Sequence, residues 1–291
     1  MDELAALRIV SDLVSTAGDD AAVVDELVLT IDMLHERTDF PDGTTDYTAG
    51  WRAVGASLSD VAAMGAAASA TVSGYGAPSF EETALREFVA GATDVSSRAG
   101  AQYVGGDLDE HGEFTVATAA VGETAAPVFR SGASEGDVVC VTGALGRTAA
   151  AIRHFENGNP DRGNELFRFD PRVAAGTELA GFATAMMDSS DGLARSLHQL
   201  GAASDVGFSI DSDAIPIHDA LDVVEAAERT TLAVTYGEDF ELVCTMPETD
   251  VTSAREHLYV PLSIIGRVEQ ADEGITMDGE PLADTGWTHG T

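Results

Sequence analysis

The 291-residue chain carries 50 acidic residues against 15 basic ones, a formal net charge of -35. A field of that sign repels nucleic acid and anionic membranes, while a hydrophobic content of 44% separates the chain from disordered acidic tails. All 15 basic residues are arginine, so a Walker A lysine, a kinase-type strand lysine and a Schiff base are excluded, and bound phosphates would need metal ions and arginines.

An acid-rich, lysine-free composition suits a cytoplasm of multimolar salt, where the Debye length shrinks to about 3 Å and self-repulsion becomes tolerable. The opening MDELAALRIVSDLV has acids and no basic n-region, which reads against a signal peptide. The small-residue run at 61–78 is too rich in Ala and Gly for a spanning helix. A soluble cytoplasmic protein is expected.

In chain order, LVLTIDML (27–34) reads as a strand and 50–70 as one helix, with Trp51, Val54, Leu58, Val61 and Gly65 on a single stripe. A helix at 80–99, a strand at AQYVGG and a strand at 113–123 follow. The polar, Pro- and Gly-bearing PVFRSGASEGD (127–137) marks the domain boundary, dividing the chain into 1–128 and 129–291. Beyond it, VVCVTG reads as a strand and ALGRTAAAIRHF as a helix. AGFATAMMD, SSDG and LARSLHQLGAASD then read as strand, turn and helix. VGFSID is a strand, IHDALDVVEAAE (217–228) a helix, and FELVCTMP and LSIIGRV are strands. Strands and helices mix in both halves, which predicts two layered α/β domains rather than a bundle or a sandwich. Cys140 and Cys244 sit in apolar strand-like runs and read as buried, reduced thiols.

Aspartates gather at element ends: Asp19 and Asp20 after Gly18, Asp32 closing a strand, Asp107 in VGGDLD, and Asp188 with Asp191 in MMDSSDGL. Hard divalent cations take oxygen ligands, and loops after strands can aim carboxylates at one point. Each cluster alone reads equally as a cap, a turn or a hairpin. Asp60 lies off the apolar stripe of its helix, so periodicity predicts a solvent-facing carboxylate. His35 does not form HExxH, and no Cys or second His stands at zinc spacing. TGALGRT could present amides to a phosphate but lacks the P-loop spacing and its lysine.

Taken in order, AGDDAAVV, TIDMLHERTDF, RAVGASLSDVAAMGA, VGGD, RSGASEGDVVCVTGALG, MMDSSDGLARSL and YGEDFELVCTMP resemble the thiamine-monophosphate kinases from about residue 18 to 287. The wider superfamily includes aminoimidazole ribonucleotide synthetase, selenophosphate synthetase and a hydrogenase maturation factor. The resemblance implies a ferredoxin-like N-terminal domain that binds ATP and Mg²⁺ and dimerises. It also implies a C-terminal α/β domain of the aminoimidazole ribonucleotide synthetase type. By the same resemblance, several Mg²⁺ ions are held by Asp20, Asp32, Asp60, Asp107, Asp188 and Asp191, with oxygens at Thr30 and Ile31. ATP touches Gly106, Asp107, Arg130 and Ser190. Thiamine phosphate lies near Asp39, Glu238 and Trp287. Asp20 thereby becomes a ligand, with Asp19 shaping the loop beside it.

The implied reaction moves the γ-phosphoryl group of ATP to a phosphate oxygen already ionised at neutral pH, so no general base is needed. Two like charges ~4 Å apart repel by about 4 kcal/mol at an effective dielectric of 20, which makes clustered Mg²⁺ the natural device. The alternatives are another ATP-dependent enzyme of the superfamily or a catalytically silent binding homologue. Four positions depart from the family pattern: Asp39 replaces a histidine, Ile31 offers only its backbone carbonyl, Tyr236 replaces a glycine, and Asp109 is added close to Asp107.

Overall fold

Residues 9, 10, 13, 14 and 17–286 are described by the structure, a computed structural model. The first sheet comprises β1 (Ala22–Val24), β2 (Leu27–His35), β3 (Ala67–Ala77), β4 (Gln102–Glu110) and β5 (Thr115–Glu123), in the order β1-β2-β5-β3-β4. A short α1 (Glu36–Asp39) and then α2 (Asp46–Ala63) lie between β2 and β3, and α3 (Glu82–Arg98) carries the chain between the parallel neighbours β3 and β4. Period-two alternation sets the faces of β2: Val28, Thr30 and Leu34 are buried, whereas Leu29, Ile31 and Met33 point outward.

Helix α2 explains two departures from expectation. Thr45 caps its start by accepting the Thr48 N–H at 3.2 Å. Its end comes at Met64, where Gly65 takes φ +67 and turns the chain out of the helix. The expected helix over 50–70 therefore stops early, and 67–77 is a strand whose Ala, Ser and Gly residues offer little apolar contrast to periodicity. The expected single stripe is also too narrow. Between 48 and 63 only Trp51 and Asp60 retain exposure, because α2 is packed by α3 on one side and by both sheets on others. Close approach to α3 needs Gly50 and Gly91: a Cβ on either would collide with the backbone carbonyl of Phe88 or Tyr47.

The second sheet has β6 (Val138–Thr142), β7 (Ala185–Asp188), β8 (Val206–Ile210), β9 (Leu242–Met246), β10 (Leu262–Gln270), β11 (Ile275–Met277) and β12 (Glu280–Pro281), ordered β12-β11-β8-β10-β6-β9-β7. Its helices are α4 (Arg147–Glu156), α5 (Pro160–Phe167), α6 (Val173–Leu179), α7 (Leu193–Ser204), α8 (Ala226–Thr235) and α9 (Val251–His257). Every residue of β6 and β9 is buried, with the free thiols of Cys140 and Cys244 directly opposite one another. The expected helix over 217–228 is instead a 3-10 turn at Asp219–Val223 followed by α8. His218 caps that turn by accepting the Ala220 N–H at 3.1 Å, and the extended backbone of Val224 and Glu225 breaks the continuity.

One apolar core runs through both halves, joining Val28, Leu58 and Val61 to Val138, Met186 and Leu242. A second core fills the other face of the second sheet. Polar contacts stitch the seam: Trp51 Nε1 donates to the Phe169 carbonyl at 2.6 Å, and Arg168 Nη1 to Thr48 Oγ1 at 2.9 Å. Among the described residues, no helix is long and apolar enough to cross a membrane.

Candidate active site

Three carboxylates from three separate stretches of chain converge at the seam. Asp20 comes from the loop before β1, Asp60 from the last turn of α2, and Asp188 from the end of β7; their oxygens lie within 4.8 Å of one another. Asp188 has no exposed surface, and its Oδ2 has no hydrogen-bond partner among the described residues. Its Oδ1 accepts the Ser190 N–H at 3.2 Å. Burial, and then the charge of Asp20, push its carboxyl up to about 7. Asp60 is raised well above the usual carboxylate range, first by burial and then by Asp32, Asp188 and Asp20, although Thr30 Oγ1 donates to its Oδ2. Clustered carboxylates with one orphaned buried oxygen are the donor chemistry of a hard divalent cation, and they are held together here against their own repulsion.

The neighbouring residues fix this cluster. Asp32 projects from β2 and accepts the Ser57 hydroxyl at 2.7 Å, and Ser57 in turn meets Thr118 Oγ1 at 2.8 Å. Burial raises the Asp32 carboxyl, against the Ser57 hydrogen bond. Arg130 reaches Asp20 with both arms of its fork, Nη2 to Oδ1 at 2.9 Å and Nε to Oδ2 at 3.2 Å. Its backbone N–H donates to Asp19 Oδ1 at 2.6 Å. Asp19 thus shapes the loop while Asp20 faces the cluster. A cavity of about 510 Å³, lined by Gly18, Asp19, Asp20, Leu29, Thr30 and Ile31, opens beside it. Thr30 points inward, but the Ile31 side chain is 72% exposed on the opposite face, leaving only its backbone oxygen as a donor.

The three acids of YGEDFEL have separate environments. Asp239 is buried and accepts the N–H groups of Gly146 and Thr148 at the start of α4. Glu241 is buried against Arg172 and accepts the Thr142 hydroxyl at 2.7 Å. Glu238 alone keeps a partly open carboxylate, with its side chain 20% exposed and Oε2 held by Arg52 Nη2 at 2.8 Å. The backbone at Glu238 and Phe240 is left-handed, φ +67 and +55, a conformation side chains other than glycine rarely adopt. Tyr236 stands where the family has glycine, yet its φ of -84 is open to any residue.

The structure does not gather every expected residue. Gly106 and Asp107 are exposed on the edge strand β4, and the register Gly106–Ser73–Thr118–Asp32 separates them from β2 by three strand spacings, about 14 Å. A Cβ at Gly106 would collide with the Ser73 carbonyl. Asp39 is buried in α1, where its Oδ2 accepts the His35 N–H and the Thr38 hydroxyl, each at 2.7 Å. Its neighbours Phe40 and Pro41 line a cavity of about 620 Å³ together with Asp42, Tyr75 and Phe114. Asp191 sits in the SSDG turn beside Ser190, with Gly286 against its carbonyl. Trp287 falls outside the described residues. Sequence reasoning missed Arg52, whose signal was available: it is the single charged residue between Asp46 and Asp60.

The chain is similar to known proteins in both sequence and fold. The model of AIR synthase related protein, N-terminal domain, matches residues 18–124, and that of AIR synthase related protein, C-terminal domain, matches 134–278. The thiamine-monophosphate kinase of Halobacterium salinarum is 60% identical over 99% of this chain and 100% of its own length. That of Methanospirillum hungatei is 42% identical over 94% and 93%. The solved structure of AaThiL complexed with AMPPCP and TMP superposes with a TM-score of 0.90 at 26% identity, covering 99% of this chain and 97% of that one.

Proposed function

The chain belongs to the thiamine-monophosphate kinases, and from that premise we propose that it transfers the γ-phosphoryl group of ATP, directly and in line, to the phosphate of thiamine phosphate. A bond from the γ-phosphorus to the bridging oxygen of ADP breaks, and one to the acceptor's phosphate oxygen forms. The products are thiamine diphosphate and ADP. The acceptor oxygen is ionised at neutral pH, so the residues need only position and neutralise.

The observation that carries this reading is the convergence of Asp20, Asp60 and Asp188, one of them with a buried oxygen that has no hydrogen-bond partner among the described residues. Mg²⁺ held by these three, with Asp32, Asp191 and the oxygens of Thr30 and Ile31 as further donors, would neutralise the phosphates of both substrates. Arg130 holds Asp20 in place and offers a fixed cation at the nucleotide side, where Ser190 is a further candidate contact. Glu238 sets a carboxylate toward the cationic thiazolium and aminopyrimidine rings, with Asp39 and Trp287 as further candidates on that side. Gly106 and Asp107 are assigned to ATP and metal from the family pattern. The outward residues Leu29, Ile31, Met33 and Val72 form an exposed apolar sheet face, which supports a homodimer covering it. A cytoplasmic enzyme of a halophile fits the acidic composition.

Purified protein incubated with thiamine phosphate, ATP and Mg²⁺ in concentrated KCl should yield thiamine diphosphate and ADP in equal amounts, and a chelator should stop both. ATP hydrolysis without diphosphate formation, from folded protein, would overturn the reading. Sedimentation in the same buffer should report a dimer.

A further inference from the structure

We propose that Arg52 is a positioning residue of the acceptor site, holding Glu238 in register with the metal carboxylates. The inference rests on the reading of Glu238 as a contact of thiamine phosphate.

Arg52 has no exposed surface although it carries a full charge. Its guanidinium lies 3.6 Å from the centre of the Phe167 ring, and Nη1 donates to the Phe167 carbonyl at 2.8 Å. Nη2 reaches both the carbonyl of Glu238, at 3.3 Å, and its Oε2, at 2.8 Å. Phe169 and Phe240, stacked 4.2 Å apart, close the space around the guanidinium at 5.6 and 5.5 Å. The cation therefore grips the same residue by backbone and side chain, at the point where the chain takes its left-handed turn.

A cation buried only for stability would be an expensive choice, since well-packed apolar residues usually serve as well. What Arg52 adds is a link between two parts of the site. It stands on α2, eight residues before Asp60, a separation of about 12 Å along a rigid helix. Glu238, on the other half of the chain, is thus indexed to the helix that presents Asp60. The carboxylate for the organic part of the acceptor and a carboxylate for the metal are then held at a fixed spacing. The planar fork is necessary, because a lysine ammonium cannot stack on Phe167 and reach three oxygens at once.

Kinetics of Arg52→Lys, Glu238→Gln and the double variant test this. Glu238→Gln should raise KM for thiamine phosphate about tenfold. Arg52→Lys should do the same while leaving KM for ATP within about twofold, and the double variant should be no worse than Glu238→Gln. Equal rises in both KM values, multiplying effects in the double variant, or an unaltered Arg52→Lys beside a shifted Glu238→Gln would each overturn the proposal alone. An unaltered KM in Glu238→Gln would overturn the placement of the acceptor at Glu238, and the proposal with it. Should Arg52→Lys fail to fold, Phe167→Leu, which removes the stacking ring and no hydrogen bond, must show the same split between substrates or the proposal falls.

Discussion

The backbone N–H of Glu238 donates to the carbonyl of Ser190 at 2.6 Å, so Glu238 rests directly on the SSDG turn that follows Asp188. Gly237 makes that contact possible, since a Cβ there would collide with the Ser190 carbonyl and come within 2.9 Å of the Asp191 carbonyl carbon. Gly237→Ala should lower kcat/KM at least tenfold and cost about 1–3 kcal/mol of stability, the usual penalty for overpacking. Steady-state kinetics with a denaturant titration checks both; wild-type kinetics would show that the contact is dispensable.

Removing one carboxylate of the proposed cation site should have opposite effects on activity and on stability. Burial and three neighbouring aspartates disfavour the charged form of Asp60. Asp60→Asn should abolish most kinase activity yet be about 1–2 kcal/mol more stable than wild type in a chelator. With Mg²⁺ present the order should invert. A variant less stable than wild type in both conditions would argue that the cluster is not a cation site.

Stability should also carry a pH signature from His218. Burial, and then Arg147, hold its imidazole below the ordinary value of 6.5, and its Nδ1 accepts the Ala220 N–H, which protonation would break. A depressed folded-state value means that the contribution is present above about 6.5 and is lost as pH falls through the folded-state value. Relative to His218→Asn, which keeps a capping acceptor but cannot titrate, wild type should lose stability as pH is lowered from 7.5 to 5.5. Parallel pH profiles for the two proteins would exclude His218 as the source.

The charge of -35 sets the salt response. Raising KCl from dilute buffer to multimolar concentration should raise Tm by more than the few degrees that about 1 kcal/mol produces in a chain of this size. A Tm indifferent to KCl would remove the case for halophilic adaptation.

Legibility of the sequence followed physical contrast. β2, β6 and β9 announced themselves because Val, Leu and Ile runs are bounded by turn residues. β3 did not, since an Ala, Ser and Gly strand after an Ala-rich helix changes neither hydropathy nor composition; Gly65 was the only punctuation. The proposed ligand role of Asp60 was carried by resemblance alone, because α2 is enclosed on nearly all sides and a one-stripe pattern cannot describe such a helix. Asp188 and Asp20 were legible as element-end aspartates. Their convergence with Asp60 was not legible from pattern, since it depends on packing between three segments, one of them more than a hundred residues from the other two.

The two matched family domains follow one another in sequence, at 18–124 and 134–278, yet the apolar cluster containing Val28 and Leu58 continues unbroken into Val138 and Leu242. Separating the halves would expose much of α2 to water on the side that now meets β7 and α6. Neither half should therefore persist as an independent folding unit. Calorimetric and van't Hoff enthalpies should agree across one transition, and slow hydrogen exchange should extend through both sheets as a single cooperative block. What looks modular in the chain should then behave thermodynamically as one body, with the seam that gathers the carboxylates opening only when the whole molecule does.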